Sequence, residues 1–216
     1  GCNSQTDEAT CAGSSSSPSG LAKINNWVTD SLKNNTTLYG YGGDLEGNLW
    51  RFDLANKSAF AVANVAEPIT VKPELAEIYE QRVVLFGIGL FLQVADRSDG
   101  TKRSIYGIRD NPAATSTLTN VKTSGNLKQQ TLVTSGSSRT ISPSSVAVDW
   151  TTDYGWFLEL LDTGERVNVD PKLQLGTFIV ASNVPDNTNA NSCTTGGYSW
   201  LNFLDITTGG AINNSQ

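Results

Sequence analysis

The side chains best suited to chemistry in this sequence are carboxylates. Asp53, Asp110, Asp162 and Asp205 each close an aromatic-containing segment, and Asp44 lies inside the first of these. Two carboxylates flanking a sugar linkage would serve a glycosidase, and several at alternating positions would hold calcium. Their recurrence at segment ends instead argues for turns, where Asp accepts from nearby backbone N–H groups. The sequence has no histidine. A Ser-His-Asp triad, an imidazole acid or base, and a His-ligated zinc or haem site are therefore excluded. No catalytic, cofactor or metal residue is assigned, and the expectation is a protein that is not an enzyme.

Three cysteines remain. Cys2 and Cys11 bracket the short polar loop Asn3 to Thr10, and a local disulfide is the natural reading in a chain of this composition. Cys193 is left over in the polar loop Asn183 to Gly197, either buried or paired with another part of the protein. Scattered as they are, the three do not read as a zinc site.

The chain has 216 residues and a net charge of −6, and Ser, Thr, Asn and Gly make up 84 of its residues. That balance suits short strands joined by turns in an exported protein. No basic stripe exists that could neutralise phosphates, so nucleic acid is not an expected partner. The longest apolar run, Val83 to Leu92, is too short to cross a bilayer, which takes about 20 residues. With no start methionine, the expectation is a processed product or part of something longer.

Residues 1–20 read as a disulfide-tied loop and Ser-rich linker, and 21–216 as one domain of propeller blades. Leu21, Ile24, Trp27, Val28 and Leu32 recur at helical spacing, which predicts one amphipathic helix of about three turns, with Ser19 as N-cap and Asn34-Asn35 as stop. From Leu38 the pattern changes to strands. Four segments resemble one another: Tyr41–Asp53, Arg103–Asp110, Tyr154–Asp162 and Ser199–Asp205. Their Asp ends fall 57, 52 and 43 residues apart, a spacing expected of four-stranded propeller blades. About four blades of a partial, all-β propeller are thus expected. Within the first, Asp44, Gly47, Asn48, Trp50 and Asp53 form the expected structural turn motif: a hairpin turned by Asp44, Gly47 and Asn48, with Trp50 filling the wedge between blades. Further strands are expected at Gln81–Gly89, Val146–Trp150 and Leu173–Val180, while Asn111–Ser145 reads as an edge hairpin or a long insertion.

At Gly43-Asp-Leu-Glu-Gly-Asn-Leu-Trp-Arg-Phe-Asp-Leu54 the sequence resembles the C-terminal β-propeller of the PilY/PilC family of type IV pilus tip adhesins and assembly factors. The resemblance continues in order through Arg82–Leu92, Ser104–Asp110, Gly155–Leu160, Gly164–Pro171, Gln174–Thr177 and Gly197–Asp205, and covers roughly residues 21 to 210. It implies a protein exported from a Gram-negative bacterium to the outer membrane and pilus tip. There it would support pilus biogenesis, retraction control and adhesion. Implied partners are pilins or minor pilins, an N-terminal adhesive region of the same protein, and host or abiotic surfaces. Several family members carry a calcium loop just before the Tyr-x-Gly-Asp motif. Here that place is Thr29–Thr37, whose only carboxylate is Asp30, so the calcium site is not carried over.

Two other classes compete. The Trp-Leu-x-x-Leu-Asp-x-x-Thr-Gly ending also resembles blade ends of quinoprotein dehydrogenases, although the acidic and cysteine groups that would surround a quinone and calcium are not seen. The Ser/Thr/Asn-rich loops would equally suit a structural subunit of an extracellular filament.

Overall fold

The computed structural model describes residues 19–28, 32–141, 146–186 and 196–212. Cys2, Cys11, Cys193 and Asp30 lie outside these described residues. Within them the chain is all β, and its single helical element is a short 3-10 segment, Val94–Ser98.

The first sheet is an antiparallel meander of β1 (Ile24–Trp27), β2 (Tyr39–Gly43), β3 (Asn48–Asp53) and β4 (Ser58–Asn64). Its first strand corrects the expected helix. Ile24 to Trp27 runs antiparallel to β2, with Trp27 opposite Tyr39 and Ile24 opposite Gly42. Two consecutive asparagines favour helix weakly, and pairing to a sheet edge outweighs the helical spacing of the apolar residues. Gly42 explains why β1 can lie so close: a Cβ there would sit 3.0 Å from the Lys23 carbonyl.

The second sheet holds five strands in the order β5 (Glu74–Ile78), β6 (Gln81–Gly87), β7 (Ser104–Asp110), β11 (Gly155–Glu159) and β8 (Leu127–Gln130). All pairs are antiparallel except β11 with β8. A two-residue turn, Tyr79-Glu80, joins β5 to β6 with both residues at positive φ, the turn whose twist matches a hairpin. The third sheet is β12 (Lys172–Gln174), β13 (Thr177–Val184) and β14 (Tyr198–Asp205), and β9 (Leu132–Ser135) with β10 (Ser138–Ile141) forms a separate ribbon.

Three further expectations change. The segments ending in Asp110 and Asp162 are not two blades: β7 and β11 are neighbours in one sheet, with Tyr106 opposite Phe157. The four markers therefore occupy three sheets. Leu173–Val180 is not one strand but a hairpin turned at Leu175-Gly176, both at positive φ. Val146–Trp150 is not a strand at all. Its residues are held by distant segments instead: the Gln130 side chain bridges the Val146 backbone N–H and C=O, and the Trp150 indole donates to the Thr207 carbonyl at 2.9 Å. The Asn111–Ser145 stretch supplies β8 to the second sheet and the β9–β10 hairpin.

The core is organised by aromatic rings in register. On one face of the second sheet Phe86, Tyr106 and Phe157 stack across β6, β7 and β11, with centroids 5.4 and 6.2 Å apart. On the other, Trp156 lies flat over Gly107, where a Cβ would come within 2.6 Å of the indole. Gly209, from the turn after β14, touches the same indole, and a Cβ there would stand 2.3 Å from it. The Trp156 N–H donates to the Ile206 carbonyl at 2.9 Å. One side chain thus joins the second sheet to the end of the third. Trp156→Ala is expected to cost about 3–5 kcal/mol in urea unfolding. Gly107→Ala should also destabilise, because the ring has nowhere to go.

Candidate functional site

The sequence-derived turn motif lies at one end of the first sheet. Asp44, almost wholly buried, accepts from the N–H groups of Glu46 and Asn48 at 3.0 and 2.8 Å, from the Asn48 carboxamide at 2.9 Å, and from the Trp50 indole at 2.8 Å. Both of its oxygens are occupied by donors. Gly47 has φ +82°, and a Cβ would stand 2.6 Å from the Glu67 nitrogen, so the turn admits only glycine here. Asn48 also accepts from the Asn64 side chain at 2.7 Å, linking β3 to β4. Asp53 stands at the other end of β3. It accepts from the backbone and side chain of Asn56 at 2.9 and 2.8 Å, which holds its carboxyl below the usual range. Asp44 and Asp53 are therefore separate turn residues rather than two members of one site.

The remaining repeat carboxylates divide. Asp205 turns the chain after β14, accepting from the Thr207 hydroxyl and, at 2.8 Å, from the Thr207 N–H. Asp99 with Thr101 and Asp149 with Thr151 make the same Asp-x-Thr turn, with N–H distances of 2.9 and 3.0 Å. The Thr101 hydroxyl and N–H, with Arg103, hold Asp99 down at about 2. This Asp-x-Thr spacing was the local signal available in the sequence. Asp110 and Asp162, by contrast, are not turn residues but partners of buried arginines.

Asp110 is 1% exposed and sits where the first and second sheets meet. One oxygen accepts from the Arg51 guanidinium at 2.5 Å and the other from the Tyr41 hydroxyl at 2.6 Å. Arg51 also lies 5.1 Å from the Phe60 centroid, and Arg82 stacks 4.2 Å from Tyr39 across the same seam. Arg51 and Tyr41 come from β3 and β2, Asp110 from β7. Nothing in the repeat spacing announced this pairing, because it depends on which sheets become neighbours.

A second seam joins the β9–β10 ribbon to the third sheet. Arg139 spans Glu165 and Asp162 at 2.6 and 2.7 Å and lies 4.0 Å from the Trp200 ring. Asp162 further accepts from the Tyr198 hydroxyl and the Trp200 indole at 2.9 and 2.8 Å, and Glu165 from the Ser182 hydroxyl at 2.6 Å. These two carboxylates converge, but on a cation and a full set of donors. A third arginine, Arg166, is wholly buried and holds four carbonyls, those of Gly164, Leu90, Asp96 and Asp99, at 2.5 to 2.9 Å. It fixes the loop that carries the 3-10 segment.

Among the described residues no group of three or more acidic or thiol side chains converges as a metal site. In the described part of the segment just before the Tyr-x-Gly-Asp motif, the Asn34 side-chain oxygen accepts from the Thr36 N–H and hydroxyl. What the arrangement provides is rigid loops on sheets locked by buried arginines. A cavity of about 470 Å³ opens beside Phe60, Arg109 and Tyr154 at the first of these seams.

Small, mostly antiparallel sheets of three to five strands, joined through aromatic side chains and buried arginines, define a protein of the β-propeller class. Residues 55–144 match the PilY1 beta-propeller domain family. The type IV pilus biogenesis factor PilY1 of Pseudomonas aeruginosa strain PAO1 is 29% identical over 248 residues, covering 89% of this chain and 21% of that protein. A PilY1 homolog of Xylella fastidiosa is 27% identical over 202 residues, covering 79% of this chain and 13% of its own. The crystal structure of the P. aeruginosa PilY1 C-terminal domain superposes with a TM-score of 0.73 at 26% identity, over 92% of this chain and 49% of that one. The chain is thus similar over most of its length to the C-terminal region of PilY1, and it spans about a fifth of the length of the P. aeruginosa relative.

Two outcomes follow from the first seam. Arg51→Met leaves a buried charge on Asp110 and is expected to cost about 3–5 kcal/mol, whereas Arg51→Met with Asp110→Asn should recover at least about 1 kcal/mol of that in a double-mutant cycle. Burial, then the neighbouring Asp110, raises the Tyr41 phenol above its ordinary value of 10.0, and burial raises Tyr106 likewise. Unfolded phenols ionise near 10 while these keep their protons, so the stability they confer is complete below that pH and declines above it. In an alkaline titration read by phenolate absorbance, these two of the six tyrosines should ionise only as the fold is lost.

Proposed function

We propose that this chain is the propeller module of a type IV pilus biogenesis factor at the bacterial cell surface, acting by recognition rather than catalysis. The observation that carries the reading is the correspondence over 92% of the chain with the PilY1 C-terminal domain. Curated relatives named as type IV pilus biogenesis factors support it.

The module presents loops on a rigid scaffold, where recognition surfaces are commonly placed. Its partners are pilins or minor pilins and an N-terminal adhesive region of the same protein. In that setting it contributes to pilus assembly, retraction control and attachment to host or abiotic surfaces. The buried arginine seams fit this role, since loops presented outside the cell must keep their geometry.

Deletion of the gene in a piliated Gram-negative host should reduce surface pili and twitching several-fold. Complementation with the full-length protein should restore both. Unchanged piliation, twitching and attachment in the deletion strain would sink the reading, and alcohol oxidation dependent on added quinone would replace it with the enzyme.

A further inference from the structure

We infer that the cavity beside Arg109 is a binding site for a short acidic saccharide, with the sugar carboxylate on Arg109. The cavity, about 470 Å³, lies within the range of small-ligand sites. Although the chain carries 21 acidic residues against 15 basic, no carboxylate lines it, and Arg109 is its one charged group. An electropositive hollow in an acidic protein selects anions by exclusion as well as by attraction.

The state of Arg109 points the same way. Its Nη1 donates to the Trp150 carbonyl at 2.7 Å and its guanidinium lies 5.0 Å from the Tyr154 centroid, which fixes the group in place. Its Nε is buried without a hydrogen-bond partner, and among the described residues Nη2 makes no hydrogen bond. A positioned guanidinium whose accessible Nη2 is unused is well suited to a carboxylate.

The rest of the lining suits a polyol. Thr115, Thr117 and Asn126 bring hydroxyl and carboxamide groups, and the Phe60 and Tyr154 rings offer apolar faces against which the C–H face of a sugar ring can lie. The loop that forms one wall is built in advance. Leu118 donates to the Val62 carbonyl at 3.1 Å and accepts from Asn64 at 2.9 Å, and Asn111 caps the turn through Ala113 and Ala114 at 3.0 Å each. Leu118 also covers the outer edge of β4, so an extended peptide cannot add there as a strand. With strand addition blocked, the polar lining and ring faces match an acidic sugar.

The test is titration calorimetry on the full-length protein with uronic-acid oligosaccharides, their methyl esters, and peptides ending in a free carboxylate. Uronate oligosaccharides should bind, and methyl esters should bind about tenfold more weakly or not at all, since a charge-assisted pair is lost. Arg109→Met should abolish binding. Asn126→Asp, which leaves the Trp150 contact in place and adds a negative charge to the wall, should weaken it about tenfold. Equal binding of ester and acid, binding of the peptides but not the saccharides, or no saccharide binding at millimolar concentration would overturn the proposal. The site requires no pilus partner, so its failure leaves the biogenesis role standing, and the reverse also holds.

Discussion

A carboxylate that is 1% exposed must find donors or lose its charge, and Asp110 finds two on a different sheet. That requirement fixes the position of the first sheet against the second more sharply than apolar contact would, because hydrophobic burial is non-directional. A slip of one residue in β2 or β3 would turn Tyr41 or Arg51 to the opposite face and leave the charge bare. The same device recurs at Arg139, which fastens the ribbon to the third sheet, and at Arg166, which gathers four carbonyls beneath a loop. In each case a guanidinium that spans two elements sets their register, while the aliphatic and aromatic side chains of the core supply the burial.

How far the sequence revealed this depends on the range of the interaction. Asp44, Gly47 and Asn48 act within four residues of one another, and their types alone describe the turn they occupy. The strand at Gln81–Gly87 was likewise visible as an apolar run with glycines. Asp110 and Asp162 carried the same outward signature as Asp205, yet only Asp205 turns the chain, because the other two are claimed by arginines 59 and 23 residues away. Likewise, Ile24 and Trp27 have the spacing of a helix, but the glycines of β2 that admit a neighbouring strand lie 13 or more residues downstream in the chain. Short-range chemistry was legible, and pairing between distant segments was not.

The candidate binding cavity shows both limits at once. Its wall, residues 111–119, reads as featureless Ser/Thr/Asn sequence, and nothing local marks it as a built surface. It becomes one because Leu118 bonds across to Val62 and Asn64, and because Arg109, at the end of β7, is pinned by Trp150 and Tyr154. Polar loops of this composition gain specificity from what they are fastened to.

The parallel pairing of β8 with β11 bears on how the chain is made. In the second sheet β11 lies between β7 and β8, although β8 precedes it in sequence. As the protein emerges from its N-terminus, Leu127–Gln130 therefore has no sheet to join until Gly155–Glu159 has followed and paired with β7. Until then the hydrogen-bonding edges of both β7 and β8 are open to other chains, which is the circumstance in which strand edges misassociate. An abundance of Ser, Thr and Asn in residues 111–141 favours keeping the waiting segment in water rather than on a neighbour's edge.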